Sequence, residues 1–196
     1  MGSESTTEIM EATGRALCEY GYADLTMQRI ADESSVTSAA IHYHFDTKEE
    51  LLNAFLDDLL ERFESRVACK ARDPRERLSE FLDAVFEKPS SENDDFPVAL
   101  MELKAQAPHH DLFRERFIEL DDAVRDVVET AVRDGIEAGY FDEVDPETVA
   151  YVVATIINGS HVRMVALGEE PDRTREAVER TLARYIGWTP SRGVTA

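Results

Sequence analysis

Apolar residues recur at helical spacing along almost the whole chain, and no alternating strand pattern competes with them. Ile9, Thr13, Ala16, Leu17 and Tyr20 share one face of a first helix, which Gly21 closes. Two short helices follow, over 26–33 and 37–45. A long one over 47–70 carries Leu52, Phe55, Leu56, Leu59, Phe63 and Val67 on one stripe. Pro74 opens a helix to about residue 87, and a polar loop is expected at 88–95. Further helices are expected over 97–106, 111–138, 146–167 and 173–187. The pattern predicts an all-α protein of about nine helices.

The short helices carry the strongest local signals. Thr26 is placed to cap the second helix, with Leu25 and Ile30 at the offsets of a hydrophobic staple; Thr37, Val36 and Ile41 repeat the arrangement for the third. Thr47 opens T-K-E-E, a capping box with Glu50. Helices this short are marginal alone, so caps and buried Ile30, Ala31, Val36, Ile41 and Phe45 must hold them. The three-residue turn Ser34-Ser35-Val36 between them gives a helix-turn-helix at 26–45, in which the second short helix is the one that enters a major groove.

The run L-T-M-Q-R-I-A-D-E-S-S-V-T-S-A-A-I-H-Y-H-F-D-T-K-E-E-L-L, Leu25 to Leu52, resembles the recognition block of the tetracycline-repressor (TetR/AcrR) family in order and spacing. The segment 139–159, G-Y-F-x-x-V-D-P-E-T-V-A…I-I-N-G, is similar to the regulatory domains of the betaine-repressor branch. The resemblance implies a three-helix DNA-binding domain at 1–48 and a helical ligand-binding and dimerisation domain at 49–196. It implies that Gln28, Thr37, Ser38, Ala39 and Ala40 face base edges or sugars, and that Thr26, His42, Tyr43, His44 and Lys48 hold phosphates. The family usually has Gly where Ser35 stands. A positive φ there would strain Ser35 by about 1 kcal/mol.

Charge complicates this picture. Asp and Glu total 41 against 21 Lys and Arg, a net of −20 with a pI near 4.5. Within 1–48, three basic residues (Arg15, Arg29, Lys48) face eight acidic ones, a formal −5. Phosphate contacts ordinarily come from Lys and Arg. The excess acid is read as adaptation to a saline cytoplasm, as in a halophile, where long-range repulsion is screened within about 3 Å at molar salt; the plainer reading is a merely acidic protein. Helix N-termini, hydroxyls and imidazoles then remain as short-range phosphate partners.

The run 149–167 is apolar almost all round, so such a helix must be covered on more than one side. It contains Asn158, His161 and Arg163, and a buried helix explains it better than a membrane span. One side is expected on its own domain and the other on a second subunit, with Ala150, Ala154, Gly159 and Ser160 permitting close approach and 146–187 forming a homodimer. Phe96, Met101, Phe113, Phe117, Asn158, His161 and Met164 are candidates to line an effector pocket, against the plainer reading that they are core.

Other chemistries leave no trace. No carboxylate stands three residues before any of the five histidines, and H-E-x-x-H, G-x-S-x-G and glycine-rich phosphate loops are absent. Two cysteines, Cys18 and Cys69, make neither a disulfide framework nor a metal site. No catalytic residue, metal or cofactor is expected. The N-terminus shows no signal-peptide pattern, so a cytoplasmic protein is expected. The expectation is a ligand-responsive repressor that binds a palindromic double-stranded operator as a dimer and is released by a small apolar or amphipathic effector. The alternative is a dimeric helical ligand-binding or adaptor protein that has lost DNA binding.

Overall fold

A computed structural model describes residues 2–67, 71–86 and 96–189, and the side chains of all of these except 2–5, 66, 67 and 96. The loop expected at 88–95, Cys69 and the Val67 and Phe96 side chains lie outside the described residues. Among the described residues the fold is all-helical: α1 (Gly2–Asp24), α2 (Met27–Asp32), α3 (Ser38–His44), α4 (Lys48–Val67), α5 (Pro74–Phe86), α6 (Phe96–Gln106), α7 (Asp111–Glu137), α8 (Pro146–Leu167) and α9 (Pro171–Tyr185). Packing divides the chain into two compact units, Met1–Arg62 with Ser90–Ile118, and Phe63–Pro89 with Glu119–Ala196.

The first unit is organised by α1. Its inward face (Ile9, Met10, Ala12, Ala16, Leu17) meets Leu51, Leu52, Phe55, Leu56 and Leu59 of α4 and Ala99 and Leu103 of α6. Each of the larger side chains contributes about 1.5–3 kcal/mol on burial, and each alanine methyl less than about 1 kcal/mol. Ile30 of α2 and Ile41 of α3, both fully buried, anchor the short helices to this core. α1 leaves its helical path at Gly21 (φ 69, ψ 167), a conformation that favours glycine. The bend turns the Tyr22 N–H toward the Glu102 carboxylate of α6, 3.1 Å away.

In the second unit, α5 is pinned at its start. The Asp73 carboxylate accepts from the Arg75 backbone N–H at 2.9 Å and from its guanidinium Nε at 3.0 Å. That guanidinium stacks 4.1 Å above the Tyr140 ring, while the Arg75 carbonyl accepts from the buried Trp188 indole at 3.2 Å. Among the described glycines, Gly135 is the most tightly enclosed. The Phe141 ring lies where a side chain at 135 would be, so that a Cβ there would come within 2.1 Å of Phe141 Cδ2.

α8 is long and apolar enough to cross a membrane by length and composition alone. Here Val149, Ala150, Val153 and Ala154 pack into the core of the second unit, with Val178 and Leu182 of α9. This corrects the reading of the small residues: Ala150, Ala154 and Ser160 face the chain's own interior, and of that set Gly159 is exposed. Small side chains allow close helix approach, but it is the intrachain approach that they serve.

Candidate DNA-reading face and regulatory half

The helix-turn-helix is built by the expected local devices. Thr26 Oγ1 accepts from the Arg29 N–H and Thr37 Oγ1 from the Ala40 N–H, both at 3.2 Å. Thr47 Oγ1 accepts from the Glu50 N–H at 3.1 Å. Glu50 reaches back to the Asp46 N–H at 2.9 Å, one residue earlier than the usual reciprocal bond of a capping box. In the turn, Ser34 Oγ accepts from the Val36 N–H at 3.1 Å and donates to the Ala31 carbonyl at 3.2 Å. The Ser35 N–H donates to Glu8 at 2.7 Å, and the hydrogen bonds from Ser35 hold the Glu8 carboxyl below its usual range. The strain anticipated at Ser35 is absent: among the described residues no non-glycine has a positive φ.

Thr26, Gln28, Thr37, Ala39, His42, Tyr43 and His44 are exposed, and Ser38 and Ala40 are half-buried. Tyr43 is 86% exposed, a large aromatic ring that no packing requirement explains. His44 meets it edge-on at 5.3 Å between centroids. Gln28 is engaged locally, donating to Asp32 at 2.8 Å.

Lys48 stands differently from the other candidates. Its ammonium donates to the Tyr22 carbonyl at 3.1 Å and lies 4.5 Å above that residue's ring. The other two cations of the head behave alike. Arg15 donates to the Glu33 carbonyl at 2.6 Å, and Arg29 to the Asp24 carbonyl at 2.5 Å while stacking 4.5 Å from the Tyr20 ring. All three thus satisfy main-chain oxygens at the ends of α1 and α2, where helices leave carbonyls unpaired and carry partial negative charge.

Sequence reasoning missed Tyr22. Burial and the Glu49 carboxylate push its phenol above the usual range. The hydroxyl shares a 2.9 Å hydrogen bond with His110 Nε2, and Phe113 meets the ring edge-on. The end of α1, the start of α4 and the start of α7 converge on one side chain. The only sequence cue was an aromatic directly after Gly21.

The effector-pocket candidates separate between the two units. Met101, Phe113 and Phe117 belong to the first, where Phe113 is fully buried core. Asn158, His161 and Met164 belong to the second. Asn158 is exposed, and its amide donates to Asp121 Oδ1 at 3.3 Å and to the Ala154 carbonyl at 3.2 Å. An open groove of about 360 Å³ runs between α8 and α9, lined by Val149, Val152, Val153, Ile156, Leu182 and Tyr185 among others, and by none of the seven candidates. On α8 and α9 Tyr151, Val152, Val162, Leu167 and Tyr185 are exposed.

Comparison with known proteins decides the family. Residues 74–187 match the family described as BetI-type transcriptional repressor, C-terminal, and residues 9–55 match bacterial regulatory proteins, tetR family. The chain belongs to the tetR family. A crystal structure of a TetR transcription regulator from Haloarcula marismortui is 44% identical with a TM-score of 0.87, covering 94% of this chain and 99% of that one. The repressor KstR2 of Mycobacterium tuberculosis is 31% identical over 141 residues, 68% of each chain. KstR2 of Rhodococcus jostii is 29% identical over 140 residues, 66% of each. The chain thus spans about two thirds of the length of these curated relatives. The tetR-family match covers the N-terminal helices α1 to α3 and the start of α4, and the BetI-type match covers α5 to α9.

Proposed function

We propose that this tetR-family chain is a ligand-responsive repressor that works in the cytoplasm, binding a palindromic DNA operator as a homodimer. The observation that carries the reading is the doubly capped α2–α3 pair, which buries Ile30 and Ile41 and turns Thr37, Ala39, His42, Tyr43 and His44 outward. An exposed helix face of this kind fits a major groove, with Ala39 and Ala40 suited to thymine methyls and Tyr43 and the histidines to phosphates. Exposed Thr26 and Gln28 and half-buried Ser38 complete the proposed contact set.

Dimerisation through 146–187 is supported by the outer side of α8 and α9. Tyr151 and Leu167, each 62% exposed, are the kind of apolar surface that a second subunit covers. Two reading heads would then address half-sites about 34–36 Å apart or a related spacing. An apolar or amphipathic effector bound in the regulatory half would release DNA by favouring another spacing of the heads. The net −20 supports a working environment of high salt.

The head's charge of −5 favours one second reading, a ligand-binding adaptor without DNA. Selection of bound sequences from random DNA in molar KCl separates the two. An enriched dyad motif is expected; its absence with a folded dimer leaves the adaptor.

A further inference from the structure

We propose that the reading head holds DNA almost without counterion release, through neutral donors, so that operator affinity is nearly independent of KCl concentration. The inference rests on the DNA-binding reading and adds the chemistry of the contact.

Its basis is where the cations go. Residues 1–48 contain three basic side chains, and each ends on a main-chain carbonyl: Arg15 on Glu33, Arg29 on Asp24, Lys48 on Tyr22. Moving any of them to a phosphate would orphan a helix-terminal carbonyl and, for Arg29 and Lys48, break an aromatic stack. The remaining basic residues of the same compact unit are also engaged. Arg62 pairs with Asp58 at 2.9 Å, Arg116 with Asp57 at 2.6 Å, Arg114 with Asp111, and Lys104 lies over the Phe117 ring.

Neutral donors are in place instead. Thr26, Thr37 and Thr47 use their hydroxyl oxygens as acceptors from cap N–H groups. A hydroxyl has one proton to give, and the exposure of all three threonines leaves that proton for a phosphate oxygen. Thr47 joins the candidate contacts on this ground. The Tyr43 phenol adds a fourth donor. Such bonds form without displacing cations condensed on DNA, whereas each Lys or Arg contact contributes about −0.9 to the slope of log affinity against log salt.

The test is operator binding followed by fluorescence anisotropy across KCl concentrations at pH 8.5, where an imidazole is uncharged. The duplex is the motif enriched from random DNA. A slope no steeper than about −1 is expected for the dimer; three cations on each of two heads would give about −5. Any slope steeper than about −1 overturns the proposal.

Two variants sharpen it. His44→Arg adds one cation per head at an exposed position of α3 assigned to phosphate and should steepen the slope by about 2. An unchanged slope there means that phosphates do not lie against this face, which overturns the proposal. Arg29→Gln should leave the slope unaltered, and a flatter one shows its guanidinium on phosphate, again overturning it. Failure to enrich any motif sinks the DNA-binding reading itself, a result distinct from an enriched motif with a steep slope.

Discussion

The Lys48 ammonium donates to the Tyr22 carbonyl at 3.1 Å and lies 4.5 Å above the same residue's ring. A lysine at the start of a helix opposes the helix dipole. Here the negative end of α1 compensates it, and Lys48 becomes a strut between α1 and α4. Lys48→Ala should therefore cost about 1–2 kcal/mol of stability, from a charged hydrogen bond and a cation–π contact at a partly exposed site. Operator affinity should fall equally on all sequences with no change in salt slope. Urea melts and binding at two KCl concentrations check this; a flattened slope at unaltered stability would place the lysine on a phosphate.

Tyr43→Phe isolates one hydroxyl on the most exposed ring of the head. Operator binding should weaken by about 0.5–1.5 kcal/mol, and the melting temperature should hold. Equal affinity of the two proteins for the selected duplex would remove Tyr43 from the contact set.

The proposed dimer surface calls for a substitution on the outer side of α8. Ala154 is 2% exposed and packs into the core, so Ala154→Glu would bury an unpaired carboxylate and unfold the chain. Val152, 41% exposed and lining the α8–α9 groove, is the better probe. Val152→Glu should yield a folded monomer by circular dichroism and solution scattering. A folded variant that keeps the mass of a dimer counts against association through this face.

Screening should stabilise a chain of net −20. Melting temperatures are expected to rise steadily between low and molar KCl. Flat melts across that range would detach the acidic surface from saline adaptation.

Acid should act through carboxylates held in the folded state. Hydrogen bonding from the Arg75 side chain is the main cause that lowers Asp73 from 3.8 to about 2. Such a group stabilises the fold above its unfolded value and loses that contribution as pH falls through the folded one. Stability should drop between about pH 4 and pH 2, and Asp73→Asn should lower stability at neutral pH while flattening that limb. Denaturation followed by circular dichroism from pH 5 to 2 reads both effects; an identical acid limb in the variant refutes the assignment to Asp73.

Local devices were legible in the sequence because they depend on neighbours a few residues away. Thr26, Thr37 and Thr47 cap where their spacing to Leu25, Val36 and Glu50 predicts, and helix periods place Ile30, Ile41 and Leu52 in the core. What escaped was tertiary direction. Nothing near Lys48 in the chain says that the carbonyl of Tyr22, 26 residues earlier, waits for it. α8 hides its faces for a different reason: apolar all round, it has no stripe to read, so only its packing separates buried Ala154 from exposed Val152. Ser35 needed no glycine because Glu8 and Ser34 hold the turn with negative φ.

Gly135 offers a genetic handle. Any side chain at this position must evict the Phe141 ring, since even a methyl carbon would sit 2.1 Å from it. The damage falls in the core of the second unit, whereas Tyr43 and its neighbours belong to the first. Gly135→Ala is thus a natural candidate for a conditional allele. Cells carrying it would keep repression at permissive temperature and lose it on warming, through depletion of folded protein rather than altered DNA recognition.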